Sequence, residues 1–321
     1  MACEEQNRVG VEPELHRHTP DRVPSAPLAL VLGCAMVGAS STFIKLSGTS
    51  AHTAAFFRCA LALFVLAPVA LVEFRRYGRP PATMTRLAAA SGVLLGADYL
   101  MWTQSILDAG AAVATVLIGV QVVVFPLLAW LVSGERVHRR FVVALPVMVT
   151  GLVLTGGVLA ADPHAPHPIR GAALGITAGV CYAGYLLLVR RASLVDPRMI
   201  VTPVAFGTSS AAVVIGGVGA VTGDIVFGLT ATAWGWLIMV AVCGQALSFV
   251  LINYGSVRMS ADRAAAIMLL QPVAAIVLGV AVLHERPSMS QYLGMAVTIC
   301  AIALVTVERQ SRTRAGNVRS E

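Results

Sequence analysis

Charged residues are scarce in this chain of 321 residues, since Asp, Glu, Lys and Arg together supply 12% of it. Aromatic residues supply only 6%, whereas 57% of the chain is hydrophobic and the mean hydropathy is +0.79. A soluble domain typically carries about 25% charged residues. The shortage of charge therefore excludes a water-soluble fold and favours a membrane protein that has the lipid bilayer as a partner.

Several signatures of catalytic and metal-binding proteins are also missing. The six cysteines stand singly, at Cys3, Cys34, Cys59, Cys181, Cys243 and Cys300. This spacing predicts neither a disulfide framework nor a metal site. The chain contains no HExxH, P-loop or GxSxG string, and none of its seven histidines falls within an apolar segment. We therefore predict that the protein is not an enzyme and that it uses no cofactor.

The excess of basic residues does not indicate nucleic-acid binding. Lys and Arg outnumber Asp and Glu by 23 to 16, but nearly all of the basic residues stand between apolar runs. That distribution is a topology signal of membrane proteins, whereas a nucleic-acid-binding protein clusters its basic residues on one face. We predict no nucleic-acid partner.

Ten apolar segments are long enough to cross a bilayer, which takes about 20 residues of helix. Each is predicted to be helical because backbone groups cannot remain unpaired in lipid. The predicted spans are 26–46, 53–72, 87–106, 111–132, 141–159, 171–189, 200–219, 233–253, 264–283 and 291–307. The sequence thus predicts an all-α integral membrane protein with ten transmembrane helices.

The basic residues are distributed unevenly between the two sides of the membrane. The N-terminus, the even-numbered loops and the C-terminal tail hold 19 of the 23, whereas the odd-numbered loops hold only Arg170 and Arg286. Because cytoplasmic loops are enriched in Lys and Arg, both termini are predicted to be cytoplasmic. The first span follows no basic n-region and is expected to stay uncleaved. The ratio of 22 Arg to 1 Lys favours a GC-rich bacterial genome and hence the bacterial inner membrane.

An internal repeat is visible when the chain is shifted by 150 residues. The shift aligns 111–136 with 261–286, pairs Gln121 with Gln271, and ends on a Glu-Arg dipeptide in both copies. Five helices per half is an odd number, so the second half enters the membrane inverted relative to the first. Inverted repeats of this kind are common in secondary transporters.

The two halves resemble paired EamA domains of the drug/metabolite transporter superfamily, over about residues 28 to 307. The resemblance rests on Arg58 after Phe56 and Phe57 in the second span, on the two Glu-Arg pairs, and on Gln271 followed by Pro272 in the ninth span. It implies ten helices around a central cavity and export of small metabolites, amino acids or drugs. The superfamily is broad, so the resemblance does not identify the substrate.

The fourth span departs from the ninth at its proline. Val122 stands at the position that matches Pro272, and the proline of the fourth span is Pro126. We therefore expect the first half to bend this helix one turn later than the second half does.

The repeat and the predicted spans divide the chain into five consecutive segments. They are a cytoplasmic tail (1–25), a first five-helix half (26–159), a connecting loop (160–170), a second five-helix half (171–307) and a cytoplasmic tail (308–321).

Asp98 is the strongest candidate for a functional residue. A carboxylate near the middle of a span costs about 2.5 to 3.5 kcal/mol on insertion scales and is kept mainly where it faces a cavity or a partner. Ser91, Asp98, Trp102 and Ser105 fall on one face of the third span, which predicts a cavity wall. The alternative is a structural ion pair with Arg58, whose predicted depth in span two allows pairing. Such a pair is either a fixed strut or part of coupling to protons.

Other polar and aromatic residues within the spans are candidates for contact with a solute. Gln245, Ser248 and Asn253 lie close to one face of span eight, and Ser248 is the repeat counterpart of Asp98. Gln121 and Gln271 can hydrogen-bond a solute or tie two helices together.

Aromatic, acidic and glycine residues complete the set. Tyr182 and Tyr185 can stack on a ligand or simply pack. Glu135 and Glu285, next to helix ends, favour loop anchoring or gating over catalysis. Three glycines of span six recur at every fourth position, which predicts close helix packing, at Gly171, Gly175 and Gly179.

Together these features predict a secondary active transporter that exports a small metabolite, amino acid or drug by proton antiport with alternating access. A facilitator or importer of a small metabolite would have the same sequence features. An intramembrane enzyme or a non-transporting scaffold is the second alternative, although the nucleophile or metal set that such an enzyme needs is not found. The coupling ion and the oligomeric state do not follow from the sequence.

Overall fold

A computed structural model describes residues 25–109, 111–155, 167–284 and 286–306 of the protein. The predicted tails therefore lie almost wholly outside the described residues. Most of the predicted connecting loop and Glu285 lie outside them as well.

Every described element of the backbone is a helix, a turn or a short connection. The helices are α1 Ser25–Ser47, α2 Ala51–Tyr77, α3 Ala82–Ala109, α4 Ala111–Ile118, α5 Gln121–Ser133, α6 Arg139–Thr155, α7 Pro168–Val195, α8 Val201–Thr222, α9 Ala231–Met239, α10 Ser248–Val257, α11 Ala261–Met268, α12 Leu270–Leu283 and α13 Met289–Thr306. A π-helical segment, Val240–Leu247, joins α9 to α10 without interruption.

Within the described residues, eight helical segments are long and apolar enough to cross a membrane: α1, α2, α4 with α5, α7, α8, α9 with α10, α11 with α12, and α13. The predicted all-α membrane class is therefore confirmed. The two remaining predicted spans are also helical, as α3 and α6. However, α6 has only 17 residues, and α3 carries three charged side chains, Arg86, Asp98 and Asp108. The count of ten spans stays a prediction.

Helix α3 packs extensively against α7 and α8. Glycines make this close approach possible. A Cβ at Gly92 would clash with the backbone carbonyl of Gly207 on α8, and one at Gly175 would lie 2.8 Å from the Ser105 hydroxyl. Gly171 and Gly179 likewise contact α3 and the α4–α5 connection, so the predicted packing role of the glycine series is confirmed. Helix α1 packs against α10 and α12, and α6 pairs with α13.

Two helices are interrupted at matching positions. Helix α4 ends at Ile118 and α5 begins at Gln121, whereas α11 ends at Met268 and α12 begins at Leu270. The second interruption has a clear cause, because Pro272 has no amide hydrogen for the carbonyl four residues earlier. The first falls at the helix-disfavouring Gly119.

The expected later bend in the first half is therefore wrong. Pro126 lies inside α5, and the interruption before Gln121 matches the one before Gln271 under the 150-residue shift. The local cost of Gly119 in a helix, rather than the proline, sets where α4 ends.

Candidate binding cavity

Two connected chambers lie between the helices. The deep chamber has a volume of about 200 Å³, and its wall includes Asp98, Gln121, Tyr182 and Gln271. The wide chamber has a volume of about 460 Å³. The residues that line both chambers are Ser41, Ile44, Arg58, Tyr99, Trp102, Thr115, Pro272 and Ala275. The chambers are therefore parts of one cavity.

Both helix interruptions form part of the deep chamber. Ile118, Gly119 and Gln121 contribute from the first, and Met268, Leu269 and Gln271 from the second. Interrupted helices in transporters bring backbone groups and helix ends to a solute site near the middle of the membrane. The cavity is thus built where regular helical hydrogen bonding stops.

The deep chamber contains polar atoms that lack a partner among the described residues. They are Nε of Arg58, Oδ1 of Asp98, Nε1 of Trp102, Oε1 of Gln121 and Nε2 of Gln271. Asp98 is 2% exposed. Burying an unpaired polar group costs free energy unless something hydrogen-bonds it. These three donors and two acceptors are therefore available to a polar solute.

Arg58 belongs to this cluster but does not pair with Asp98. Its Nη2 donates a hydrogen bond of 2.8 Å to the carbonyl oxygen of Gly244 in the π-helical segment. Its guanidinium carbon lies 4.6 Å from the centre of the Tyr99 ring, a cation–π contact. Among the described residues, no ion pair joins Arg58 to Asp98. The direct pair, which the sequence left open as an alternative, is not formed in this structure, because the guanidinium is held by Gly244 and Tyr99.

The two predicted tyrosines have different positions. Tyr182 lines the deep chamber, whereas Tyr185 lines neither chamber. The two rings stack in parallel with their centres 6.0 Å apart, and Tyr185 also contacts Phe249 at 5.6 Å. Tyr185 therefore packs on the Tyr182 ring without lining either chamber.

The polar residues of the eighth predicted span also lie outside both chambers. Gln245 is fully buried and accepts a hydrogen bond of 2.8 Å from the Tyr99 hydroxyl. Asn253 donates one of 2.8 Å to the Ser193 hydroxyl. Ser248 is buried where α1 crosses α10, since a Cβ on Gly33 would lie 2.8 Å from its carbonyl. Packing against α3, α7 and α1, respectively, keeps these three residues out of the cavity lining.

The predicted polar face of α3 is likewise divided. Asp98 and Trp102 line the deep chamber. Ser91 instead bonds its own helix at the carbonyl of Ala88, and Ser105 donates to the carbonyl of Gly171 on α7, both at 2.7 Å. Only the middle of the face belongs to the cavity, because α3 packs closely at both ends.

Sequence reasoning missed Tyr99, which lines both chambers and contacts Arg58 and Gln245. Its position next to Asp98 was a usable signal, since adjacent helical residues are only about 100° apart. It also missed Thr115, whose sequence neighbours are apolar and provide no signal, and Phe249, which follows the candidate Ser248.

A network of polar contacts joins helices away from the wide chamber. Arg190 is 6% exposed and forms an ion pair with Glu135. The same guanidinium donates to the carbonyls of Ser256 at 2.8 Å and Met259 at 3.0 Å, and Glu135 accepts from the amide of Ala261 at 3.3 Å. We call these five residues the polar seal. A second contact joins the same segments, with His138 bonded to the buried carboxylate of Asp262 at 2.7 Å.

The polar seal and the wide chamber lie at opposite helix ends. The wide chamber reaches the C-terminal end of α1 at Lys45 and the N-terminal ends of α2 at Ala51 and α13 at Gln291. The seal instead lies near the C-terminal ends of α5, α7 and α10. Glu135 therefore anchors a loop at the end away from the wide chamber. Glu285, its predicted repeat mate, lies outside the described residues.

No group of three or more His, Cys, Asp or Glu side chains that could hold a metal ion occurs in the part of the chain that the structure describes. The free cysteines among these residues are scattered over several helices.

Known proteins resemble this chain over most of its length. The sequence profile of the EamA-like transporter family matches it twice, at residues 24–157 and 169–307. An uncharacterized transporter of Archaeoglobus fulgidus is 28% identical over 276 residues, which cover 86% of this chain and 94% of the relative. A solved crystal structure superposes on this chain with a TM-score of 0.73, over 88% of this chain and 96% of the other chain. The two sequences are 17% identical, so the similarity is one of fold.

Proposed function

Because this chain belongs to the EamA-like transporter family, we propose that it is a secondary active transporter that exports a small metabolite, amino acid or drug in exchange for protons. It crosses the bacterial inner membrane ten times as two inverted five-helix halves, with both termini in the cytoplasm. Its two halves alternate access to the cavity described above. Membership of the family shows that the protein is a membrane transporter. The direction of transport, the coupling to protons and the membrane topology are what we propose.

The inverted repeat is supported by two independent observations. The family profile matches the chain twice in succession. The short helices α4 and α11 begin 150 residues apart and each spans eight residues before its interruption. Helices α3 and α6 are each flanked by segments that can cross a membrane. They supply the third and fifth spans and bring the eight other segments to a total of ten.

The connected cavity is the observation that carries the proposal. It contains a buried carboxylate and several unpartnered polar atoms, and it extends toward one set of helix ends. At the other set, the polar seal joins both halves of the chain. An alternating-access carrier needs a central site that communicates with one side at a time. With the N-terminus in the cytoplasm, the wide chamber faces outward and the polar seal faces inward.

Asp98 is the group that best supports proton coupling. Its carboxylate lies in the deep chamber with one oxygen unpartnered among the described residues. Intramembrane carboxylates commonly mark proton and substrate pathways. A proton and a solute can compete for this oxygen, which would couple release of one to binding of the other.

Flux measurements on the purified protein in liposomes test the proposal. Vesicles are loaded with a panel of amino acids, metabolites and cationic drugs, and efflux is followed with and without an imposed pH gradient. We expect saturable efflux of at least one solute class that grows with the gradient. Equal flux at every gradient would contradict proton coupling, and no flux above protein-free vesicles would contradict transport itself.

A further inference from the structure

A third chamber adjoins the cavity and is almost entirely apolar. This side chamber has a volume of about 230 Å³. It lies between α6, α7 and the two helix interruptions, and its lining consists of valine, leucine, isoleucine and methionine side chains together with Gly119. None of these side chains is polar.

The side chamber shares a wall with the deep chamber. Gly119, Val122, Leu152 and Leu269 line both. Leu152 packs directly on Gly119, so closely that a Cβ there would overlap its side chain. Two flexible leucine side chains, a valine and a glycine thus separate an apolar space from the unpartnered polar atoms around Asp98.

The far wall of the side chamber faces the surroundings of the protein. Val149 on α6 and Ile176 on α7 are each 45% exposed. Helix α6 packs chiefly on α13, and beside the contact of Leu152 with Gly119 a gap, the side chamber, lies between α6 and the α4–α5 interruption. In a bilayer this gap lies at the hydrocarbon and stays dry.

On the premise of the transport function proposed above, we propose that the side chamber binds the hydrocarbon arm of the transported solute. The charged head of that solute lies at Asp98 in the deep chamber, and its arm passes Leu152 and Gly119. The transported class is then an amphiphile with a compact charged head and an aliphatic or aromatic arm.

Shape and chemistry favour this occupant. An apolar cavity of roughly 150 Å³ stays dry and can bind a molecule such as benzene, and the side chamber exceeds that size. Burial of one methylene group tightens binding by about fourfold. A wholly polar solute would leave the chamber unused. A bilayer acyl chain fits the chamber too, but it would not explain why the chamber shares a wall with the polar deep chamber around Asp98.

Two series of compounds that differ in the length of their hydrocarbon arm test, in the liposome assay, whether the side chamber binds that arm. One is alkyltrimethylammonium ions from methyl to octyl, and the other is α-amino acids with unbranched side chains of increasing length. Apparent KM is measured for each member. We expect KM in at least one series to fall with each added methylene, by up to about fourfold, until the chamber is filled.

A pair of variants on one helix separates the side chamber from general lipid effects. Val149→Trp fills the chamber from α6, whereas Val143→Trp adds the same bulk at an exposed position that lines none of the chambers. We expect Val149→Trp to raise the KM of long-armed members at least tenfold and to leave the shortest member unchanged. Val143→Trp should retain the wild-type dependence on arm length.

The outcomes are distinct. A KM that ignores arm length, or an equal dependence in wild type and Val149→Trp, overturns the assignment and leaves bilayer lipid as the occupant of the chamber. Flux of other panel solutes without any member of either series also overturns the amphiphile assignment but preserves the transport proposal. Flux of no compound overturns both.

Discussion

Asp98 and Arg58 place opposite charges in one buried cavity without a direct ion pair. Arg58 is held by the Gly244 carbonyl and by the Tyr99 ring. Asp98 therefore keeps an oxygen with no described partner. A buried pair in contact would serve mainly as a strut, whereas a carboxylate that is near a cation but not bonded to it can still accept a proton or a cationic solute.

The proton role of Asp98 is tested by Asp98→Asn. The amide has nearly the same shape but cannot take up and release a proton, so pH-driven flux should fall at least a hundredfold, while solute exchange at equal pH persists. Flux in liposomes with and without a pH gradient measures this.

Asp108→Asn is the matched control, because Asp108 lies on the same helix but outside both chambers and is bonded to Gln104. It should retain the dependence on pH gradient. Normal pH-driven flux in Asp98→Asn would contradict the proton role.

Helix α3 connects this residue chemistry to the packing of the fold. It carries Asp98 and Trp102 into the deep chamber, and its position depends on contact with α8 through Gly92 and Gly96. In a bilayer, such contacts replace the hydrophobic effect as the force between helices, because lipid is as apolar as the side chains. Small residues at this interface therefore determine where Asp98 lies.

Two glycine variants test the packing of α3. Gly92→Ala forces a methyl group onto the Gly207 carbonyl, a backbone atom that cannot rotate away, so we expect about 1 to 3 kcal/mol of destabilisation. Gly217→Ala on α8 meets nothing within 4 Å and should be neutral or stabilising by up to about 1 kcal/mol. Unfolding in detergent measures both. Equal effects of the two variants would show that the α3–α8 contact is not tight.

The whole molecule is asymmetric along the membrane normal. Its wide chamber extends toward one set of helix ends, and the polar seal joins α5, α7, α10 and α11 at the other. Arg190 donates to carbonyls at the end of α10, where a cation is favoured by the helix dipole. Removing one partner of such a buried charge pair is costly. The polar seal therefore stabilises the arrangement seen here over one in which the cavity opens at the helix ends that hold the seal.

If the polar seal holds its end of the cavity closed, Glu135→Gln should make the deep chamber more accessible from that end. Loss of the Arg190 pair should favour opening at the sealed end and increase labelling of Leu269→Cys, in the deep chamber, from that side at least threefold. The measurement is the rate of reaction with a membrane-impermeant thiol reagent in a background without the native cysteines.

Asp196→Asn is the control, because among the described residues the Asp196 side chain pairs only with the nearby Arg198 on the surface and bridges no helices. It should leave labelling unchanged. An unchanged rate in Glu135→Gln would show that the ion pair does not hold this end closed.

Composition and hydropathy by themselves determined that this is an all-α membrane protein, because a bilayer tolerates only segments that satisfy their own backbone hydrogen bonds. The repeat offset located Gln121 and Gln271, which the structure brings together in the deep chamber. The cost of a carboxylate in lipid likewise singled out Asp98. These residues line the chamber and were recognisable because each polar group stood out against an apolar background; their contact with a solute stays a prediction.

Only the tertiary structure decided which polar residues face the cavity. Gln245, Ser248 and Asn253 have the same sequence character as Gln121 but are covered by neighbouring helices. The side chamber and the direction of Arg58 likewise had no sequence signal. The physical reason is that lipid-facing and core-facing side chains of a membrane helix are equally apolar, so periodicity does not reveal which face is packed. Contacts between helices far apart in sequence make that choice.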